Sequence, residues 1–191
     1  MKLSIHKNKS KKGFTLIELL VVIAIIATLG ALSYGPIMKH IRSADVLNAK
    51  KVCKDLTFAI DGFEQTYDSL PYTGSYPSTD ESYVTDTSGF LNVLMGKDTD
   101  INDRGKKFFT SDEGKGGKNG LIYDGGNLTS LVDKWGKPYT IKLDYDGDGV
   151  IDATTIGTGS SYKEFLHVEN SIAASPTYDG EFNDVGDAKS W

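Results

Sequence analysis

Lys12-Gly13-Phe14-Thr15-Leu16-Ile17-Glu18-Leu19-Leu20-Val21-Val22 opens an apolar run that lasts to about Met38 and holds a single charge, Glu18. From Phe14 to about Gly35 there is enough apolar sequence to cross a bilayer, for which a helix needs about 20 residues. A carboxylate at membrane depth costs roughly 2.5 to 3.5 kcal/mol on insertion scales, so a chain that keeps one there needs it for pairing. Glu18 therefore requires a cationic partner. Ahead of the run, Lys2, Lys7, Lys9, Lys11 and Lys12 form a basic leader. Lysines stay on the cytoplasmic side, which sets the rest of the chain outside.

Three readings of this run compete. A secretory signal needs only about 7 to 15 apolar residues and a small-residue cleavage site, for which Ala31-Leu32-Ser33 serves loosely. A plain single-span anchor accounts for the length but not for Glu18 or the abrupt Gly13-Phe14 junction. The third reading uses the whole string: Lys-Gly-Phe-Thr-Leu-Ile-Glu followed by an apolar helix, over residues 11 to about 38, closely resembles the N-terminal signature of the type IV pilin and pseudopilin superfamily.

That resemblance implies cleavage by a membrane prepilin peptidase between Gly13 and Phe14, and methylation of the new N-terminal Phe14. It divides the chain into a leader, 1–13, a transmembrane and filament-core helix, 14–38, and a periplasmic domain, 39–191. Cleavage would create an ammonium group on Phe14, with Glu18 at the i, i+4 spacing that puts both on one helix face. Between staggered subunits that amine can approach a neighbour's Glu18, and the two charges neutralise each other where the dielectric is low. Glu18 is then an assembly residue; a snorkelling or protonated glutamate in a lone helix is the other reading. Gly35-Pro36 sits near the end of the run with Gly30 inside it, and proline removes a helix hydrogen bond. A kink or local unwinding is expected between Gly30 and Pro36.

Beyond Pro36 the pattern turns amphipathic. Ala49, Cys53, Leu56, Ile60, Phe63, Tyr67 and Leu70 recur at steps of three and four, with Lys50, Lys51, Lys54, Asp55 and Asp61 on the other side. One helix thus continues from the bilayer into a soluble domain and stops before Leu70-Pro71. Cys53 falls on the apolar stripe and reads as a small core residue. As the single cysteine it permits no disulfide within the chain. From Gly96 to Gly186 glycine, Asp, Asn, Ser and Thr cluster in a way that favours turns and short strands.

Tyr76-Pro77-Ser78-Thr79, the following Phe90-Leu91-Asn92-Val93-Leu94, and Asp133-Lys134-Trp135-Gly136-Lys137-Pro138-Tyr139 are similar to segments of the major pseudopilin of type II secretion, with Lys134 where that family has proline. The fold class expected is α+β: a long N-terminal helix, half membrane-spanning and half amphipathic, packed on a small antiparallel β-sheet with calcium-type loops. Trp135 and Tyr139 are expected to cover the helix, and Tyr139 to Leu143 to form a strand.

Asp144-Tyr145-Asp146-Gly147-Asp148-Gly149-Val150-Ile151-Asp152 alternates carboxylates around a glycine turn, as hard Ca²⁺ demands of a loop that must supply six to eight oxygens. Asp144, Asp146 and Asp148 would offer side chains, Val150 its carbonyl, and Asp152 a direct or water-mediated contact. The twelfth position is Thr155 rather than Glu, and a strand-like segment precedes the loop, so it is not an EF-hand. The same residues also suit a bare Asp-Gly turn. Major pseudopilins bind calcium near their C-terminus, and the acidic tail from Asp179 to Trp191 resembles that region, which makes Asp184 and Asp187 second candidates.

The whole chain carries a net charge of −5 and the stretch to Met38 contributes +4, so the remainder carries −9. That acidity disfavours nucleic acid as a ligand. His6, His40 and His167 have no metal-ligand spacing, and no phosphate loop or nucleophile elbow occurs, so an enzyme is not expected. The reading that unites these features is a subunit of a type II secretion pseudopilus supporting protein export across the outer membrane. Its partners would be a prepilin peptidase, identical subunits, other pseudopilins and inner-membrane assembly proteins. The leader would lie in the cytoplasm and the domain in the periplasm of a single-pass inner-membrane protein. A type IV pilus subunit for adhesion, motility or DNA uptake, and a non-polymerising anchored module binding calcium or glycans, are the alternatives.

Overall fold

The computed structural model describes residues 13–86, 88–152, 166–167, 171–176 and 188–190. They fall into two compact units, one ending at Arg42 and the other beginning at Ser43. A single helix, α1 (Leu16–Tyr67, 52 residues), contributes to both.

In the first unit α1 is apolar all round from Leu19 to Met38. Its best 18-residue window has a mean hydropathy of 2.5, and none of it is buried by protein. Large side chains such as Ile17, Leu20, Ile26 and Leu32 are exposed. Such a surface needs lipid or other helices to cover it. Thr28 and Ser33, inside the run, are satisfied within the helix, Thr28 donating to the Ile25 carbonyl at 2.9 Å and Ser33 to that of Leu29 at 2.8 Å. The unwinding expected between Gly30 and Pro36 is not observed, because α1 is helical without interruption through these residues. A proline forfeits one bond of the ladder, and a helix with ordered turns on either side retains its fold around that gap.

In the second unit the expected stripe is the core face of α1. Ala49, Cys53, Leu56, Ile60 and Phe63 are buried against Leu91, Leu94, Leu131, Ile141 and Leu143 in one cluster. The helix ends at Tyr67, where Asp68 adopts a left-handed φ of 55° and donates its N–H to the Glu64 carbonyl at 2.7 Å. That stop lies just ahead of Leu70-Pro71, as Pro71 dictates.

After β1 (Glu81–Val84) and the short α2 (Ser88–Leu94) come β2 (Gly120–Asp124) and β3 (Asn127–Val132), then β4 (Thr140–Leu143), β5 (Ile151–Asp152), β6 (Leu166–His167), β7 (Ser171–Ser175) and β8 (Ala188–Lys189). The main sheet has the order β1-β4-β7-β8 and is antiparallel throughout. β2 and β3 form a separate hairpin turned at Gly125 and Gly126, both with positive φ, and β5 pairs with β6. The α+β class expected from the sequence is the one found.

Two polar residues fix loops that the apolar pattern cannot. Asn102 is fully buried; its amide donates to the carbonyls of Val93 and Lys106, and its Oδ1 accepts from the Tyr67 hydroxyl at 2.6 Å and the Lys106 N–H at 3.0 Å. Asp133 is 1% exposed; its Oδ1 accepts the N–H groups of Trp135 and Lys137 and its Oδ2 the Ser175 hydroxyl. This carboxylate closes the Trp135-Gly136 turn, with Gly136 at φ 85°, so Lys134 in place of proline leaves the turn intact. Tyr139 joins the core that α1 lines, while Trp135 stays partly exposed.

Candidate functional site

The N-terminal junction is built for access. Gly13 and Phe14 precede α1 without regular structure, nothing among the described residues lies within 4 Å of the position a Cβ on Gly13 would take, and Phe14 is 82% exposed. A peptidase needs an uncovered bond outside regular structure, and Gly13-Phe14 meets that need.

Glu18 sits in the first turn of α1 and is already engaged. Its Oε2 accepts the Thr15 N–H at 2.8 Å and the Thr15 hydroxyl at 2.8 Å, and the Glu18 N–H approaches Thr15 Oγ1 at 3.3 Å. This is a reciprocal capping box in which Thr15 is the cap and Glu18 the third helical residue. A negative charge in the first turn also complements the helix dipole. Treating Glu18 as an isolated charge misses this role, although the signal Thr-x-x-Glu is legible at residues 15–18.

The acidic loop after β4 is wound by its own carboxylates. Asp144 Oδ1 and Oδ2 accept the N–H groups of Gly147 at 2.7 Å and Gly149 at 2.9 Å; Asp146 Oδ1 accepts from Asp148, and Asp148 Oδ1 from Val150 at 2.8 Å. Gly147 and Gly149 take positive φ, as the sharp turns require. Asp144 is 5% exposed, whereas Asp146 and Asp148 face solvent.

The structure adds a residue that the loop sequence does not contain. One carboxylate oxygen each from Asp80, Asp144 and Asp146 lie within 4.8 Å of one another. Strand pairing explains this: β1 and β4 are antiparallel with Glu81 opposite Leu143, so Asp80 comes beside Asp144 just past the last pair. Asp80 Oδ1 is buried with no hydrogen-bond partner among the described residues. Its Oδ2 stands 3.8 Å from the buried Lys142 ammonium. Burial raises the Asp80 pKa above the usual carboxylate value, the charges of Asp146, Asp144 and Asp148 raise it further, and Lys142 opposes them. Three hard oxygen donors this close together, one of them from a carboxylate that also has a buried, unpartnered oxygen, suit a cation of the Ca²⁺ class.

Of the other sequence candidates, Asp148 lies close enough to act on Asp80 but outside this trio, Val150 closes the loop, and Asp152 is a backbone member of β5. Asp184 and Asp187 lie outside the described residues, as does Thr155. An aromatic group flanks the trio. The Tyr145 hydroxyl donates to the Pro71 carbonyl and lies 3.1 Å from the Tyr83 hydroxyl, which donates to Glu81; burial pushes the Tyr83 phenol up to about 12. Cys53 is fully buried and burial raises its thiol pKa, so it is a packing residue and not a thiolate.

No curated protein and no solved structure matches the chain. Residues 8–34 match the family model described as the prokaryotic N-terminal methylation motif, which marks this N-terminus, with its exposed junction, capped glutamate and membrane-length helix, as a type IV pilin-like, prepilin-type signal.

Proposed function

We propose that the chain is a structural subunit of a type II secretion pseudopilus, cleaved after Gly13, methylated on Phe14 and assembled through α1 into a filament that supports export across the outer membrane. The observation that carries this reading is the methylation motif, joined to a helix that is exposed and apolar on every side and therefore requires neighbours. The motif indicates a structural subunit processed by a prepilin peptidase and not an enzyme family. Glu18 of one subunit would then exchange its Thr15 contacts for the Phe14 amine of the next.

The single, core-buried cysteine and the similarity around Trp135 favour the pseudopilus over a pilus whose tip loop is closed by a disulfide. Deleting the gene and comparing the secreted proteome with surface piliation tests this choice. Loss of secretion supports the proposal; loss of piliation with secretion intact makes the chain a pilus subunit.

We further propose that Asp144 and Asp146 of the loop bind Ca²⁺ together with Asp80, the remaining loop candidates completing the oxygen set. The ion would tie the loop after β4 to the start of β1, a cross-link that the chain cannot make with a disulfide. The buried, unpartnered Asp80 Oδ1 supports this. Isothermal titration of the detergent-solubilised chain with Ca²⁺ tests it, an absence of saturable heat counting against the site.

A further inference from the structure

We infer that the outward face of α1 between Leu47 and Phe58 docks on a second copy of this chain, in the acidic recess at the C-terminal end of the same helix. The inference rests on the filament reading and adds to it a contact outside the membrane.

Leu47, Lys51, Lys54 and Phe58 follow one another at steps of four, three and four, so they share one helix face. All four are exposed, Leu47 at 65% and Phe58 at 67%. The stripe places two large apolar groups about 16 Å apart with two ammonium groups between them. Lys51 pairs with Asp55 at 2.9 Å across one turn, but an exposed pair of this kind is screened by solvent and yields to a better partner.

The recess has the opposite character. Glu64, Asp68, Asp144, Tyr76 and Tyr145 line a cavity of about 240 Å³, with Tyr76 half exposed at its mouth. The charge division runs through the sequence: residues 39–54 hold five basic residues and one acidic, whereas residues 55–191 hold eleven basic and twenty-four acidic. Complementary potentials of this kind steer association and fix register.

The two surfaces cannot meet within one copy. Lys51 and Lys54 are separated from Glu64 and Asp68 by α1 itself, about 20 Å along its axis. They meet between copies whose helices run parallel and are displaced by that distance. Such a contact joins different patches on the two partners, so it is heterologous and propagates into an open filament. The membrane-length segment holds copies in parallel orientation, which makes a second copy the occupant that the geometry admits most directly.

The test uses the full chain in cells that assemble it. In a Cys53→Ala background, Lys54→Cys with Ser69→Cys, a recess residue, should give an oxidative ladder of cross-linked subunits in the sheared filament fraction, and neither single variant should. Independently, with Cys53 retained, Lys51→Glu with Lys54→Glu should cut filament yield at least tenfold, and adding Glu64→Lys with Asp68→Asn should restore it. Wild-type yield in the double lysine reversal, with no ladder and with Glu18→Ala still abolishing filaments, overturns the docking contact and leaves the filament reading intact. Reversal that weakens retention on anionic vesicles without altering filaments makes the stripe a lipid surface and also overturns it. Absence of any wild-type filament overturns both.

Discussion

Thr15 and Glu18 cap one turn of α1 reciprocally, the carboxylate holding the Thr15 N–H and hydroxyl at 2.8 Å each. In a separate subunit Glu18 is therefore not an unpaired charge waiting in the bilayer. The cap satisfies donors that the first turn cannot use, and the proposed intersubunit ion pair would form by exchanging these contacts for a neighbour's amine.

Replacing Thr15 by alanine removes the hydroxyl contacts and destabilises the first turn by about 1 kcal/mol. Amide exchange at residues 16–18 should quicken roughly fivefold in detergent while the helix beyond Val22 is unchanged. Glu18→Ala should be processed normally and fail to assemble, as read by sheared filament yield against total cleaved protein.

Asn102 fills a site that only an amide fits, since its nitrogen donates twice and its oxygen accepts twice. Asn102→Ala strands buried backbone carbonyls and should lower stability by about 3 kcal/mol. Asn102→Asp should be nearly as harmful, because a carboxylate cannot donate to Val93 and Lys106. Urea unfolding checks both, and a tolerated Asp variant would contradict the assigned orientation.

Burial raises the Asp133 pKa above its usual value, against the opposing hydrogen bonds from Ser175, Lys137, Trp135 and Gly136. A raised acid binds its proton more tightly in the folded state, so this site's contribution is largest below the unfolded pKa of about 3.9 and falls as pH rises through the raised folded value. Asp133→Asn, which keeps an acceptor for Trp135 and Lys137, should remove that fall. The melting temperature of the variant minus that of the wild type should increase with pH just above about 4 and then level off. A difference constant with pH would contradict the sign.

If Ca²⁺ binds the Asp80, Asp144 and Asp146 oxygens, a hundredfold excess over its dissociation constant should stabilise the domain by about 2.7 kcal/mol. Asp80→Asn and Asp144→Asn should each diminish the calcium-dependent rise in melting temperature, and chelator should leave either variant less affected than the wild type. An Asp80 variant with an undiminished calcium response would restrict the site to the loop.

The parts of this fold that are legible in sequence are those whose signal is local. The stripe from Ala49 to Phe63 repeats at the helical period, and Pro71 marks where α1 must end. The Asp-Gly run after Leu143 names its own turns, and Thr-x-x-Glu names its cap. Asp80 carries no such signal: it joins Asp144 only because β1 lies antiparallel to β4, a register set between distant segments. Asn102 stands in Asp-Ile-Asn-Asp-Arg-Gly, which reads as an exposed turn, yet tertiary contacts with Tyr67 and Val93 bury it completely. Continuity of α1 across Pro36 is likewise a property of the turns around it, where composition alone suggests a break.

Cleavage at the exposed Gly13-Phe14 bond, with the apolar helix retained, is the step on which the proposed assembly depends. Intact-mass and N-terminal peptide analysis of protein from the membrane fraction of cells with a prepilin peptidase addresses it directly. The expected product is a chain beginning at Phe14 and bearing one added methyl group on its amine, with the uncut form accumulating when the peptidase is absent. An intact Met1 terminus in both strains, or a mature chain beginning after Ala31-Leu32-Ser33, would contradict it.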